Sequence, residues 1–178
     1  DPLPQSFQAT MDQLEGYLAG ASAYAAGDWE TTIAALTPYL EFRDSRDLVY
    51  DSYVRLCQAA LKAGDLEESR KQADQALQIN PDGAEAVACG MGIADATYEA
   101  LMQQAQGNLD QGQWQQAIEI CKQALTVKSD DQQAQGCIGR ANDGLYQEAA
   151  ARGQSLLNKC QLNEAIAAFN EALAIKPG

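Results

Sequence analysis

Residues 112–127 read GQWQQAIEICKQALTV and residues 160–175 read CQLNEAIAAFNEALAI. Residues 64–79, GDLEESRKQADQALQI, fall on the same grid, one step of 48 residues earlier. Each stretch opens on a break and continues as a helical stripe. The stripes are Ala73, Ala76 and Leu77; Ala117, Ile118, Cys121, Ala124 and Leu125; and Ala165, Ile166, Phe169, Ala172 and Leu173. That is the 3.6-residue spacing of an amphipathic helix, with small residues where another helix must come close. A fourth break is Gly27-Asp28-Trp29, followed by Ile33, Leu36 and Leu40. Gly supplies the positive φ that ends one helix, Asp caps the next, and the large residue after them wedges the two apart. Pro81 and Pro177 stop the second helix of their hairpins.

Working outward, the 48-residue overlay superposes Tyr50, Tyr98 and Tyr146, then Gln58, Gln106 and Gln154, then Leu61, Leu109 and Leu157. It also matches Asp82 with Asp130, Ala86 with Ala134, Cys89 with Cys137 and Asp95 with Asp143. Many coincidences at one offset mark an internal repeat. The set of motifs resembles the tetratricopeptide repeat: a Gly-Asp-aromatic turn, Ala-Ile, an aromatic or Leu, Ala-Leu, then Pro. The clearest copies are Gly64 to Pro81 and Leu162 to Pro177. Two features depart from that family. Its usual unit is about 34 residues, so the additional 14 before each of two first helices (Ala84 to Thr97, Gln132 to Leu145) read as extra turns, giving helices of about 25–28 residues or ~40 Å. At the first junction Phe42-Arg43-Asp44-Ser45-Arg46-Asp47 replaces the stopping Pro; a similar link joins such units in some large multidomain bacterial proteins.

The expectation is an all-α, right-handed α-solenoid of four helix hairpins, with long first helices in units three and four. The whole chain, 1–178, forms a single repeat domain with approximate units 5–43, 46–81, 82–129 and 130–177. Hairpins of this kind bury their apolar faces on one another and leave an extended concave surface. The resemblance implies that first helices line that surface and bind a peptide or protein segment. Carried over by position, the lining is Tyr17, Ala21 and Tyr24; Val54, Gln58 and Leu61; Met102, Gln106 and Leu109; and Ala150, Gln154 and Leu157. Gln58, Gln106 and Gln154 form a ladder of amides able to donate to and accept from a peptide backbone. The candidate peptide-binding residues are therefore Tyr17, Tyr24, Val54, Gln58, Met102, Gln106 and Gln154. Against this, Gln is also an ordinary solvated helix former, and the chain has 21 of them beside 32 Ala. The leucine and tyrosine ladders read as packing. The Lys, Asn and Arg of the family's carboxylate clamp are missing: that face offers Tyr17, Ala21, Arg55 and Glu99.

Composition removes other functions. With no histidine there is no Ser-His-Asp triad, no imidazole metal ligand and no histidine switch. A net charge of −13 opposes nucleic acid and anionic lipid, since each phosphate contact needs a base. Glu67-Glu68 and Asp130-Asp131 are adjacent pairs at helix starts, where capping explains them better than acid–base catalysis. The reading is non-enzymatic, without cofactor or metal. The first 42 residues hold six acids and no base, and no base lies between Lys71 and Lys122. Such a surface steers a partner bearing Lys or Arg, or serves solubility alone.

The five cysteines, Cys57, Cys89, Cys121, Cys137 and Cys160, are odd in number and irregular in spacing. They are expected to be reduced, which favours the cytoplasm; an extracytoplasmic region of a membrane-anchored protein is the alternative. No stretch is apolar enough to insert in a membrane. Starting at Asp1 and stopping at Pro177-Gly178, the chain reads as one region of a larger protein. The apolar residues Leu162, Ala165 and Ile175 of the last helix expect a neighbour, either further repeats or a second copy in a homodimer through the C-terminal end. The rivals to peptide binding are thus self-association and a small-molecule sensor pocket around Tyr17 and Tyr24.

Overall fold

A computed structural model describes residues 5–177. Its helices are α1 (Gln5–Ala26), α2 (Trp29–Leu36), α3 (Ser45–Ala63), α4 (Leu66–Ile79), α5 (Ala84–Asp110), α6 (Trp114–Val127), α7 (Gln132–Asn158) and α8 (Leu162–Ile175), with a 3₁₀ turn over Thr37–Tyr39. No strand occurs among the described residues. The architecture is all-α, of the helical-repeat (α-solenoid) class, and consists of four successive hairpins. The two long first helices expected from the 14-residue additions are α5 and α7, at 27 residues each.

The breaks between paired helices lie where the sequence places them. Gly27, Gly64 and Gly112 have φ of +76°, +80° and +68°, the left-handed turn that a residue without Cβ adopts at least cost. Cys160 takes the same place in the fourth hairpin at φ +58°. Asp28 and Asp65 then cap α2 and α4, accepting from Thr31 N at 3.1 Å and Glu68 N at 3.0 Å. Gln113 and Gln161 make no such side-chain cap. The second helix of the first hairpin is shorter than its stripe suggests. Pro38 has no N–H for the carbonyl of Ala34, so the α-ladder gives way to the 3₁₀ turn before Leu40.

The chain divides into two compact units, one up to Ala94 and one from Asp95, the division falling within α5. In the first, Leu36 and Val49 are fully buried. Val54, Ala76 and Ala86 form one cluster under Tyr50, Tyr53 and Leu77, and Cys57, Ala73, Cys89 and Ile93 form another with Leu61. In the second unit one continuous core runs through Tyr98, Met102, Ala105 and Leu109 of α5, Ala117, Ile118, Cys121 and Ala124 of α6, and Ala134, Cys137 and Ala141 of α7. Small residues at the crossings let large ones in. At Gly144 a Cβ would lie 2.6 Å from Cε3 of Trp114, and at Gly153 a Cβ would lie 2.8 Å from the ring of Phe169.

The cysteines correct the expectation of reduced thiols. Cys57 is bonded to Cys89 and Cys121 to Cys137, each bridge joining one hairpin to the next, while Cys160 is free and exposed. Spacing concealed the pairs because their partners are 32 and 16 residues apart and differ in repeat position: Cys89 and Cys137 are equivalent, whereas Cys121 corresponds to Ala73. The preference for the cytoplasm, which rested on free thiols, loses its ground.

Candidate functional site

In the second unit, α5 and α7 carry polar residues at helical spacing on one face. Glu99, Gln103 and Gln106 follow one another along α5, and Gln133 and Arg140 along α7. Together they rim a cavity of about 320 Å³ floored by Tyr98, Met102 and Cys137. Arg140 Nη1 donates to Gln106 Oε1 at 3.1 Å, and Gln106 Nε2 donates to Asp110 Oδ1 at 2.6 Å. Among the described residues Arg140 forms no ion pair, so the rest of its planar fork of donors faces outward. The rim therefore offers one cation, one carboxylate and several amides over a partly apolar floor. That combination suits the backbone and mixed side chains of a polypeptide.

Below the rim, the junction between first helices is built by tyrosine. Tyr98 Oη donates to Asp131 Oδ1 at 2.5 Å, and the same oxygen accepts from Ala134 N at 2.9 Å, capping α7. Burial, followed by the neighbouring Asp131 carboxylate, pushes the Tyr98 phenol up to about 12. The Tyr98 hydroxyl and the Ala134 amide hold Asp131 below the usual carboxylate range. Lys128 Nζ sits 4.5 Å from the centre of the Tyr98 ring and pairs with Asp95 at 2.9 Å, which raises its own pKa. A 48-residue step later Lys176 pairs with Asp143. This repeated ion pair ties the end of each second helix back to its own first helix, in keeping with the helix dipole.

The same device appears in the first unit. Tyr17 Oη donates to Asp44 Oδ1 at 2.7 Å and Tyr24 Oη to Asp51 Oδ2 at 2.6 Å, and these bonds raise both phenols. Tyr17 also meets the edge of Phe42 and lies under Arg43, 5.2 Å from its ring centre. Both tyrosines, expected as open lining, are half-buried fasteners between α1 and α3. Tyr50 Oη donates to Glu85 Oε2 at 3.0 Å and accepts from Ala86 N at 3.2 Å.

The remaining candidates separate by burial. Val54 is 2% exposed and belongs to the core, because α3 turns it toward Ala76 and Ala86. Met102 is likewise mostly buried, yet it reaches the cavity floor. Gln58, Gln106 and Gln154 are all exposed. Gln154 Nε2 bonds Asn158 Oδ1 at 3.1 Å, the counterpart of the Gln106–Asp110 bond. Arg140, Gln103 and Gln133 were missed by the sequence reading, whereas Glu99 was placed on the lining face only as a departure from the carboxylate clamp. Arg140 overlays Gly92 in the repeat register, so an alignment seeking coincidences hides it.

Among the described residues no cluster of His, Cys, Asp and Glu is placed to hold a metal ion, and no helix is long and apolar enough to cross a membrane. Residues 50–82 and 150–178 match the family model of the tetratricopeptide repeat, so the chain is similar to that family over those two segments. Comparison with curated proteins gives no match. A search of solved structures finds the crystal structure of MamA, 16% identical over 88% of this chain and 94% of that one, at a TM-score of 0.25. The helical fold described above rests on the chain's own elements and not on that likeness.

Proposed function

We propose that the protein is a non-enzymatic interaction scaffold that docks a peptide or protein segment against the faces of its first helices. Tetratricopeptide repeats generally mediate protein–protein interaction. The observation that carries the reading is the cavity between α5 and α7, where Arg140 and the amides of Gln103, Gln106 and Gln133 surround an open space without an internal partner filling it. Gln58 on α3 and Gln154 on α7 occupy the same repeat position as Gln106. The test is capture of partners by the wild type and by Gln58→Ala/Gln106→Ala/Gln154→Ala. Loss of captured proteins in the triple variant supports the assignment, and full retention refutes it. Two buried disulfides favour an oxidising compartment for this scaffold.

Self-association is a second reading, favoured by α8. Leu162, Ile166 and Leu173 are 55–58% exposed. They stand 48 residues after Trp114, Ile118 and Leu125, which the core around α7 covers. A homodimer through this C-terminal end would bury them isologously. Sedimentation across a concentration series, repeated with Ile166→Glu, decides it: an unchanging monomer refutes the dimer.

A further inference from the structure

A second apolar surface lies in the first unit, on the side of α1 turned away from its hairpin. Phe7, Met11, Leu14 and Leu18 are 42–61% exposed. Their 4-3-4 spacing sets them in a single row along the helix, and Ala21 and Ala25 continue it in heptad register. The opposite side of α1 is committed: Gly20 lies against Leu36, Gly16 against Tyr39, and Ala23 is buried. Tyr17 and Tyr24 hold the flank toward α3. Four large apolar side chains in a continuous row have no role in that packing, and exposed rows of this kind mark interaction surfaces.

Charge decides what covers them. Glu15 stands beside the row, and the first 42 residues carry six acids and no base. The nearest cations are engaged elsewhere, Arg43 over the Tyr17 and Phe42 rings and Arg46 with Glu41. A second copy would bring acid against acid, and an anionic bilayer is repelled in the same way. We infer that the Phe7–Leu18 row of α1 docks an amphipathic helix of another protein, one with apolar residues at three- and four-residue spacing flanked by Lys or Arg. Like the scaffold reading, this takes a first helix as a docking face, but the surface is separate from the α5–α7 cavity.

The test uses a synthetic Leu/Lys amphipathic helix of about five turns and a matched Leu/Glu helix, titrated by fluorescence anisotropy into the whole chain. The Leu/Lys helix should bind the wild type and the Leu/Glu helix should not. Leu14→Asp/Leu18→Asp adds negative charge, so simple attraction to an acidic protein would grow stronger; the docking row instead predicts weakening of about ten-fold or more. Both positions are exposed, and an unchanged circular dichroism melt verifies the fold. Glu15→Gln should weaken binding and reduce its salt dependence. Gln106→Ala/Arg140→Ala, which alters only the α5–α7 cavity, should leave it unchanged. Equal binding by Leu14→Asp/Leu18→Asp overturns the inference, as does equal binding of the Leu/Glu helix. If binding is lost in the cavity variant and kept in the α1 variant, the inference falls while the scaffold reading survives. Concentration-dependent dimerisation, or co-sedimentation with phosphatidylserine vesicles, that disappears on Leu14→Asp/Leu18→Asp would also overturn it in favour of a second copy or a membrane.

Discussion

Three glycines of α7 should answer the same substitution with opposite signs. Gly136 and Gly139 face open space, and a Cβ at either position meets nothing within 4 Å. Replacing one by Ala in a helix interior removes backbone freedom from the unfolded chain and stabilises by about 1 kcal/mol. Gly144 lies further along the same helix, but there a Cβ falls 2.6 Å from Cε3 of Trp114. That indole is wedged at the start of α6 and packs on the second unit's core, so it cannot swing aside without cost. Overpacking of this kind costs about 1–3 kcal/mol, which offsets or exceeds the same propensity gain. The expected net effect of Gly144→Ala runs from about zero to 2 kcal/mol destabilising. Relative to Gly139→Ala the gap is about 1–3 kcal/mol, or roughly 0.5–1.5 M in urea midpoint for a slope of about 2 kcal/mol/M. Urea unfolding followed by circular dichroism measures the gap, and tryptophan fluorescence reports whether the indole has moved. A midpoint for Gly144→Ala equal to or above that of Gly139→Ala would refute the close crossing of α6 and α7.

Cys160 occupies a left-handed turn that its three counterparts fill with Gly; Cys160→Gly should raise stability by about 0.5–1 kcal/mol in the same assay, and a loss would contradict the turn assignment. The bridges Cys57–Cys89 and Cys121–Cys137 close loops of 32 and 16 residues, worth about 4 and 3 kcal/mol by loop entropy; peptide mapping should recover both pairs, and Cys57→Ala/Cys89→Ala should lower the melting temperature, whereas four free thiols in the oxidised protein would exclude them. The Tyr98–Asp131 bond sets two pH limits. Asp131 titrates below its unfolded value, so its stabilisation is full above the ordinary carboxylate range and fades as pH falls through its lowered pKa. Tyr98 is raised to about 12, so its share is intact below the unfolded value near 10 and fades between there and 12. Tyr98→Phe should flatten both limbs of the stability profile, and an unaltered profile would mean that the bond is not made.

What the sequence made legible follows from local chemistry. Gly27, Gly64 and Gly112 mark their turns because positive φ excludes most other residues, and Asp28 and Asp65 mark helix starts because their carboxylates satisfy orphan amides. The lengths of α5 and α7 followed from arithmetic on the 48-residue step. The short α2 was less visible: Ile33, Leu36 and Leu40 keep a helical rhythm through Pro38, and rhythm says nothing about a missing N–H. The disulfides escaped because their reach depends on how neighbouring hairpins pack, which no spacing along the chain encodes. The site was legible in part. Repetition singled out Gln106, which does rim the cavity, but it also promoted Val54, whose place on the helix is one step around toward the core. Arg140, the cation of the rim, occurs once and matches Gly92, so repetition could not reveal it. The exposed row from Phe7 to Leu18 was hidden for a different reason, since apolar residues at helical spacing are ordinarily core, and only the packed side of α1 shows which row is left over.

The central claim is that first helices are docking faces and second helices are buttresses. Amide hydrogen exchange measured by mass spectrometry on the chain, alone and saturated with a partner captured by it, tests this directly. Protection should rise on α1, α3, α5 or α7 and stay level on α4, α6 and α8. Protection confined to α4 and α6, with the first helices unchanged, would contradict the account.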